Sequence, residues 1–343
     1  MLLVTFHGGA SGINNVYVYH KSGTLKNEAA LEAPTHGKLS ELRGMVLAGG
    51  LLYVANGAKS ESTVLVYKAP SSGSSFTYES TLIKPKRSPT GNFETSIAHP
   101  FGIAFDGPTC YVSNQDTNVV SQVSASGSLG QGCQSAYLTA LFPNGTFLDG
   151  TYVASQVGIL PGVDGVTTVV DHVHGGLGVG FDSGKVKNSV RDVAIVDGIL
   201  FVADEPEKVV DMYSLTDGNY LGSSNGLAEG PTHLAISNGG LFVSAGSQLY
   251  WGSLPVSASL SLQTITPPPL PSKDKVKIGG ISFDGASTVY VPYQTGTGGN
   301  NPGGSIYSYS VSQQNPPVLT NGTAIVTSLA DTPEFVLHWS SGS

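Results

Sequence analysis

Five segments of this 343-residue chain share one pattern: an apolar run, a glycine-containing turn and a second apolar run. They are LRGMVLAGGLLYVANG at 42–57, PFGIAFDGPTCYVSNQD at 100–116, VRDVAIVDGILFVADEP at 190–206, PTHLAISNGGLFVSAG at 231–246 and IGGISFDGASTVYVPYQ at 278–294. Each reads as a β-hairpin whose two strands are buried on both faces. Sheets stacked side by side around an axis provide such burial; a sheet with one wet face does not.

The segments that follow the hairpins alternate apolar and polar residues, as half-exposed third strands do: STVLVYK at 62–68, KVVDMYSL at 208–215 and SIYSYSV at 305–311. Outer strands are expected at FTYESTLI (76–83) and GNYLGSS (218–224), so the repeat unit is four antiparallel strands. At the N-terminus, MLLVTFHGG aligns with the second strand of the hairpin, Leu3 with Tyr53 and Val4 with Val54. NNVYVYH at 14–20 supplies the third strand, and no first strand precedes them. PEFVLHW at 333–339 is the missing inner strand and would close the ring.

The expected fold is therefore all-β: a six-bladed β-propeller of four-stranded antiparallel blades in one domain, 1–339, followed by a tail at 340–343. Blade boundaries fall near 1–36, 37–88, 89–187, 188–228, 229–272 and 273–328. The third blade carries a long Gly-rich insertion around 124–187, and a seventh blade hidden there is the architectural alternative. Forty-five glycines, 20 prolines and 12% charged residues suit many short strands joined by tight turns.

The formal net charge of −8 argues against a nucleic-acid partner, and Lys84-Pro85-Lys86-Arg87 is read as a solvated loop. No apolar run approaches the ~20 residues that span a bilayer, so a monomer acting on a small molecule, away from membranes, is expected. Cys110 and Cys133 form either one disulfide or two buried thiols. Sequons at Asn144 and Asn321, with the low lysine content, point to a secreted or extracytoplasmic glycoprotein, although no signal peptide is visible at MLLVTFHGG.

Aligning the repeats predicts which side chains meet at the axis. The residue ending strand two gives Phe6, Asn56, Asn114, Asp204, Ala245 and Tyr293; the residue opening strand one gives Gly44, Gly102, Asp192, His233 and Gly280, with Glu334 in the C-terminal strand. Glu334, Asp204, Asn114 and Asn56 would form a hard-oxygen site of the kind Ca²⁺ takes. A Zn²⁺ site of His99, His233 and Glu334 is the alternative. His233 is a candidate general base beside a metal-bound water, or a funnel histidine satisfied by a backbone carbonyl. Asp192 is a catalytic carboxylate or a salt-bridge partner of Arg43 or Arg191, and His99 is a third catalytic candidate or shapes the entry to strand one. Asp204 is a ligand or a turn-capping carboxylate, and Asn56-Gly57 is also a good turn dipeptide. His172 and His174 in DHVHGG are read as exposed loop histidines, and the glycines at 175–180 lack the strand-loop-helix context of a nucleotide loop.

ANG at 55–57, SNQD at 113–116, ADE at 203–205 and PEF at 333–335, set in this repeat, resemble the gluconolactonase, senescence marker protein and paraoxonase superfamily. The resemblance implies a catalytic divalent cation held by Glu334, Asn114 and Asp204, with Asn56 touching substrate or serving as a fourth ligand. Arg43, Arg191 and Tyr293 complete the expected substrate contacts. The implied activity is metal-dependent hydrolysis of a lactone or related ester. Similar blades occur in NHL-repeat proteins, strictosidine-synthase-like proteins and the amidating lyase of peptide hormones, so a metal-independent lyase or isomerase and a glycan- or protein-binding propeller are the alternatives.

Overall fold

A computed structural model describes residues 1–7, 12–57, 62–83, 99–115, 119–124, 140–141, 156–157, 167–170, 190–216, 220–256, 259–265, 276–295 and 303–340. Lys84–Arg87, Cys133, Asn144, His172, His174 and the glycines at 175–180 lie outside the described residues.

The chain forms a β-propeller of small antiparallel sheets. Five are four-stranded blades, each built from an innermost strand outward. The N-terminal blade is Pro333–His338, Leu2–Phe6, Tyr17–Tyr19 and Leu25–Asn27. The second is Leu42–Ala48, Leu51–Asn56, Thr63–Lys68 and Thr77–Ile83; the third is Pro100–Asp106, Thr109–Asn114, Val119–Ser124 and Thr167–Val170. The fourth is Val190–Val196, Ile199–Asp204, Val209–Ser214 and Tyr220–Ser223; the fifth is Pro231–Ser237, Gly240–Ala245, Gln248–Ser253 and Gln263–Thr264.

The last repeat departs from the expected count of six four-stranded blades. It forms a five-stranded sheet in which Lys277–Ile278 and Ser282–Asp284 both pair with Thr288–Thr295, followed by Gly303–Val311 and Leu319–Leu329. The inner strand breaks at Gly279-Gly280 because Gly280 instead bridges Phe335 of the C-terminal strand, and its Cα lies so close that an added Cβ would meet the Phe335 ring at 2.6 Å. In the region of the long insertion, Ala140–Leu141 pairs with Gln156–Val157, and Thr167–Val170 returns as the outer strand of the third blade.

The hairpin turns follow from their residues. Gly49-Gly50, Asp197-Gly198 and Asn238-Gly239 each place two consecutive residues at positive φ, the left-handed pairing that matches the twist of two-residue hairpins. The core lies between blades. Leu52, Val54 and Tyr67 pack with Leu3 and Val18, while Leu200, Val202 and Tyr213 pack with Ala104 and Tyr111. Each such fully buried aliphatic or aromatic side chain stabilises the fold by roughly 1.5–3 kcal/mol.

One irregularity recurs in every inner strand. Leu42 pairs with Asn56 and Met45 with Val54; Pro100 pairs with Asn114 and Ile103 with Val112; Val190 pairs with Asp204 and Val193 with Val202. In each case the inner strand contains one residue more than its partner. The same excess separates Pro231 from His233 opposite Ala245 and Ser244, Pro333 from Phe335 opposite Phe6 and Thr5, and Ile278 from Ser282 opposite Tyr293 and Tyr290. Such bulges re-aim side chains. Here they align Arg43, Phe101, Arg191, Thr232, Gly279 and Glu334 as one set of equivalent positions.

Three hydroxyls fasten this set to neighbouring repeats. Thr5 donates to the Arg43 carbonyl at 2.9 Å, Ser113 to the Arg191 carbonyl, and Ser244 to the Gly279 carbonyl at 3.1 Å. All three precede the tip of strand two. Ala55, Ala203 and Pro292 hold the equivalent places in the other repeats and have no hydroxyl, so the fastening occurs at every second seam.

Candidate functional site

Four of the six bulge residues, Phe101, Arg191, Thr232 and Glu334, line a polar cavity of about 170 Å³ together with His7 and His233. Glu205, Glu229, Lys277 and Gln294 contribute further polar wall. At its base Glu334 is buried and lies close to three nitrogen-bearing side chains. Its Oε2 lies 3.1 Å from His7 Nδ1 and 3.3 Å from Arg43 Nη1, and its Oε1 lies 3.8 Å from His233 Nε2. Burial alone would push the Glu334 carboxyl up, but the Arg43 charge and the His7 hydrogen bond hold it well below the usual carboxylate range.

Arg43 is itself almost fully buried. Nη1 sits 2.5 Å from His7 Nδ1, while Nη2 sits 3.3 Å from His99 Nε2 and 3.4 Å from Glu41 Oε2. Arg191 takes the other side of Phe101, whose ring centroid is 5.2 Å from its guanidinium carbon and 5.9 Å from that of Arg43. Arg191 pairs with Glu205 through Nε and Nη2, both at 2.7 Å.

His233 is fixed in one tautomer by its neighbours. Thr232 Oγ1 donates its proton to the Ser244 carbonyl at 3.3 Å and lies 3.0 Å from His233 Nδ1, so Nδ1–H is the donor to Thr232. Nε2 is then the bare nitrogen; it is buried and makes no hydrogen bond among the described residues. Burial pushes this imidazole down to about 4, with Arg191 and Arg43 lowering it further and Glu334 opposing them, which keeps it neutral at physiological pH. The ring packs between Phe101, 5.4 Å away, and Phe335, edge-on at 4.8 Å. Phe335 also lines a second cavity of about 350 Å³ with largely apolar walls that include Met45, Ile103, Leu234 and Ile281.

The expected site residues divide sharply. Arg191, His233 and Glu334 line the cavity, and Arg43 and His99 stand directly behind it. Asp192 does not pair with either arginine. Its Oδ1 accepts from its neighbour Val193 N–H at 2.9 Å and its Oδ2 accepts from Leu234 N–H of the next blade at 3.0 Å. Tyr293 exchanges a 2.8 Å hydroxyl contact with Tyr309, and burial pushes its phenol far up.

Asn56, Asn114 and Asp204 are turned into the backbone and do not line the cavity. Asn56 accepts from Ser40 N–H at 2.7 Å and donates to the Lys38 carbonyl at 2.9 Å; Asn114 donates to the Val112 carbonyl at 3.1 Å. Asp204 caps its own turn by accepting from Glu207 N–H at 3.0 Å, and burial pushes it up to about 7 despite that bond. Glu334 lines the cavity and faces a guanidinium while Asn114 and Asp204 lie outside it, so the expected cation ligands are not brought together there, although Asp204 Oδ2 is buried without a hydrogen bond among the described residues. Among the described residues, no group of three or more His, Cys, Asp or Glu is placed to hold a metal ion.

The residues missed by sequence reasoning are one position further along. In four of the repeats the residue after the tip of strand two lines the cavity: His7 after Phe6, Glu205 after Asp204, Gly246 after Ala245 and Gln294 after Tyr293. Side chains in a strand alternate faces, so a shift of one residue exchanges the axis for the neighbouring blade. The burial of Asn56, Asn114 and Asp204 alongside apolar residues of the same face is the corresponding structural signature.

No family model matches the chain, and no curated protein matches it in sequence. Among solved structures, the periplasmic gluconolactonase PpgL of Pseudomonas aeruginosa matches with a TM-score of 0.56 and 14% identity over 94% of this chain and 82% of its own. A chain of the nidogen/laminin complex matches with a TM-score of 0.53 and 11% identity, covering 98% of this chain and 97% of its own. At these identities the likeness is one of fold: the chain is a β-propeller similar in architecture to both.

Proposed function

We propose that the axial cavity hydrolyses a small polar lactone or related ester. In this reading the five blades and the five-stranded sheet form one six-membered ring closed by the C-terminal strand, with the reaction at its centre. The observation that carries the proposal is the bare, buried Nε2 of His233, a residue that lines a polar cavity together with Glu334 and Arg191. The similarity of fold to a periplasmic gluconolactonase supports it and agrees with an extracytoplasmic setting.

The chemistry needs a base, an electrophile and a water. A water between His233 Nε2 and the substrate carbonyl would give its proton to the imidazole as its oxygen attacks. The carbonyl oxygen, gaining charge, would be met by Arg191, whose remaining N–H groups border the cavity. Collapse breaks the acyl C–O bond, and the imidazolium returns the proton to the departing alkoxide, yielding the hydroxy acid. Glu334 stabilises the imidazolium formed in between.

A pH-stat assay with five- and six-membered sugar lactones tests this. Turnover by the wild-type protein and a loss in kcat of about 100-fold or more in His233→Gln are expected. Ring opening no faster than buffer, or an undiminished variant, would overturn it.

A further inference from the structure

We infer that the apolar cavity on the propeller axis is a second binding site, shaped for one neutral two-ring compound that carries a single oxygen. Its wall is drawn from the inner segment of every repeat, represented by Met45, Ile103, Val193, Leu234, Ile281 and Val336. Of the side chains that line it, only Asp192 and Ser282 are polar. Both Asp192 oxygens are committed to the Val193 and Leu234 amides, at 2.9 and 3.0 Å. Ser282 Oγ accepts the His338 N–H at 2.9 Å, which leaves its own proton to donate to an occupant. A buried water needs roughly two to four polar partners, and this wall offers one uncommitted hydroxyl. Apolar walls with few placed polar groups are the usual lining of a small-molecule site.

Size, depth and charge select the class. An apolar cavity of about 150 Å³ takes one benzene, so this one, at about 350 Å³, has room for roughly two such rings. The wall runs over three successive residues at 44–46, 234–236, 281–283 and 335–337, a depth of about 7–10 Å at ~3.3 Å per residue. A straight alkyl chain of the same volume is longer than that, whereas fused rings fill the space. Neither sign of charge is answered there: the wall holds no Lys, Arg or His, and the Asp192 oxygens are spent on backbone amides. Ile236, also on the wall, is exposed to solvent and gives the cavity an open mouth. Phe335 lines this cavity while its ring meets His233 edge-on at 4.8 Å, so an occupant rests on the ring that supports the imidazole of the polar cavity. The inference does not depend on the reaction proposed for that cavity.

2-Naphthol, uncharged at neutral pH, is the probe. Calorimetry and fluorescence titration should give one site per chain with a dissociation constant below about 1 mM. 2-Naphthalenesulfonate, the same rings with a charge, should bind about 10-fold or more weakly. Phe335 and His233 ring resonances should shift on binding. Ala235→Phe and Ile236→Trp each add bulk to the wall and should weaken 2-naphthol by about 10-fold or more, with thermal unfolding reporting whether each variant folds. Ser282→Ala should weaken 2-naphthol by about 2- to 10-fold and leave naphthalene unchanged. Absence of saturable binding, equal binding of the sulfonate, unmoved Phe335 resonances, undiminished binding in a folded Ala235→Phe and Ile236→Trp, or equal losses for naphthalene and 2-naphthol in Ser282→Ala would overturn the inference. The first three are read on the wild-type protein alone, so the outcome stands even where a variant fails to fold.

Discussion

The carboxylate of Asp192 in the fourth blade accepts the backbone N–H of Leu234 in the fifth at 3.0 Å, joining two inner strands at the wall of the apolar cavity. Burial pushes this carboxyl up to about 7, while its bonds to the Leu234 and Val193 amides pull the other way. Asp204 and Asp211 are also raised by burial, to about 7 and about 6.

The pH dependence of stability follows from these shifts. Below the ordinary carboxylate value near 4, Asp192 is protonated in both folded and unfolded chains and contributes no difference. Between about 4 and 7 the unfolded chain releases the proton and the folded chain retains it, so stability falls as pH rises, by up to about 4 kcal/mol for this group. Urea unfolding from pH 4 to 8 should show that decline. Asp192→Asn should flatten part of it, at a cost near 1–3 kcal/mol at low pH because its amide leaves one backbone N–H without an acceptor. Identical slopes in both proteins would contradict the assignment.

The alternating hydroxyl fastenings predict a second result. Ser113→Ala removes an acceptor for Gly102 N–H, at 2.8 Å, and the donor to the Arg191 carbonyl, all in a fully buried place. A loss of about 1–3 kcal/mol in denaturant unfolding is expected. A change within a few tenths would show that the seam closes without it.

Thr232 fixes the tautomer of His233 and so acts as a positioning residue for the proposed reaction. Thr232→Val should lower kcat about 10-fold with little change in KM, and Thr232→Ser should restore it. Nitrogen-15 NMR of the imidazole supplies a readout independent of turnover: the wild type should show Nδ1–H, and the valine variant a mixture. A single unchanged tautomer in Thr232→Val would remove Thr232 from this role.

Gly102 marks a close approach of two neighbouring inner strands. A Cβ there would lie 2.2 Å from Asp192 Oδ1 and 2.7 Å from Asp192 Cα, so backbone and side chain would both have to move. Gly102→Ala should cost about 1–3 kcal/mol or more and weaken the Asp192 link. Thermal unfolding of Gly102→Ala, Asp192→Asn and the double variant checks this, with a smaller loss in the double than the sum of the singles.

The hairpins and the pairing of the C-terminal strand with Leu2–Phe6 were legible in the sequence, because burial on both faces writes itself as unbroken apolar runs. The third strands were legible from their alternation, but Val64–Tyr67 and Val210–Tyr213 are buried throughout and not half-exposed as expected. His233, Arg191 and Glu334 were legible as polar residues on inner strands. The register at the tips was not. Asp204 and Glu205 are equally acidic neighbours, and only the pairing of Asp204 with Val190 and Val209 shows which turns towards the next blade. Likewise Gly279-Gly280 looks like any flexible pair until Phe335 is found lying against it. His7 and Glu41 carried no repeat signal, since their role arises from where Arg43 ends.

The bulge repeated in all inner strands gives the molecule a property that no single contact expresses. Each repeat carries one inner-strand bulge residue, and at Arg43, Arg191 and Gly279 the fastening uses the backbone carbonyl and therefore does not depend on the side chain. Phe101, Arg191, Thr232 and Glu334 thus meet in one small volume, while Gly279 is held to glycine because an added Cβ would lie 2.7 Å from the Glu334 carbonyl oxygen. Exchanging Arg191 or Thr232, the half-buried members, alters the cavity wall while the hairpins behind them keep their pairing, so new specificities are accessible there by single substitutions.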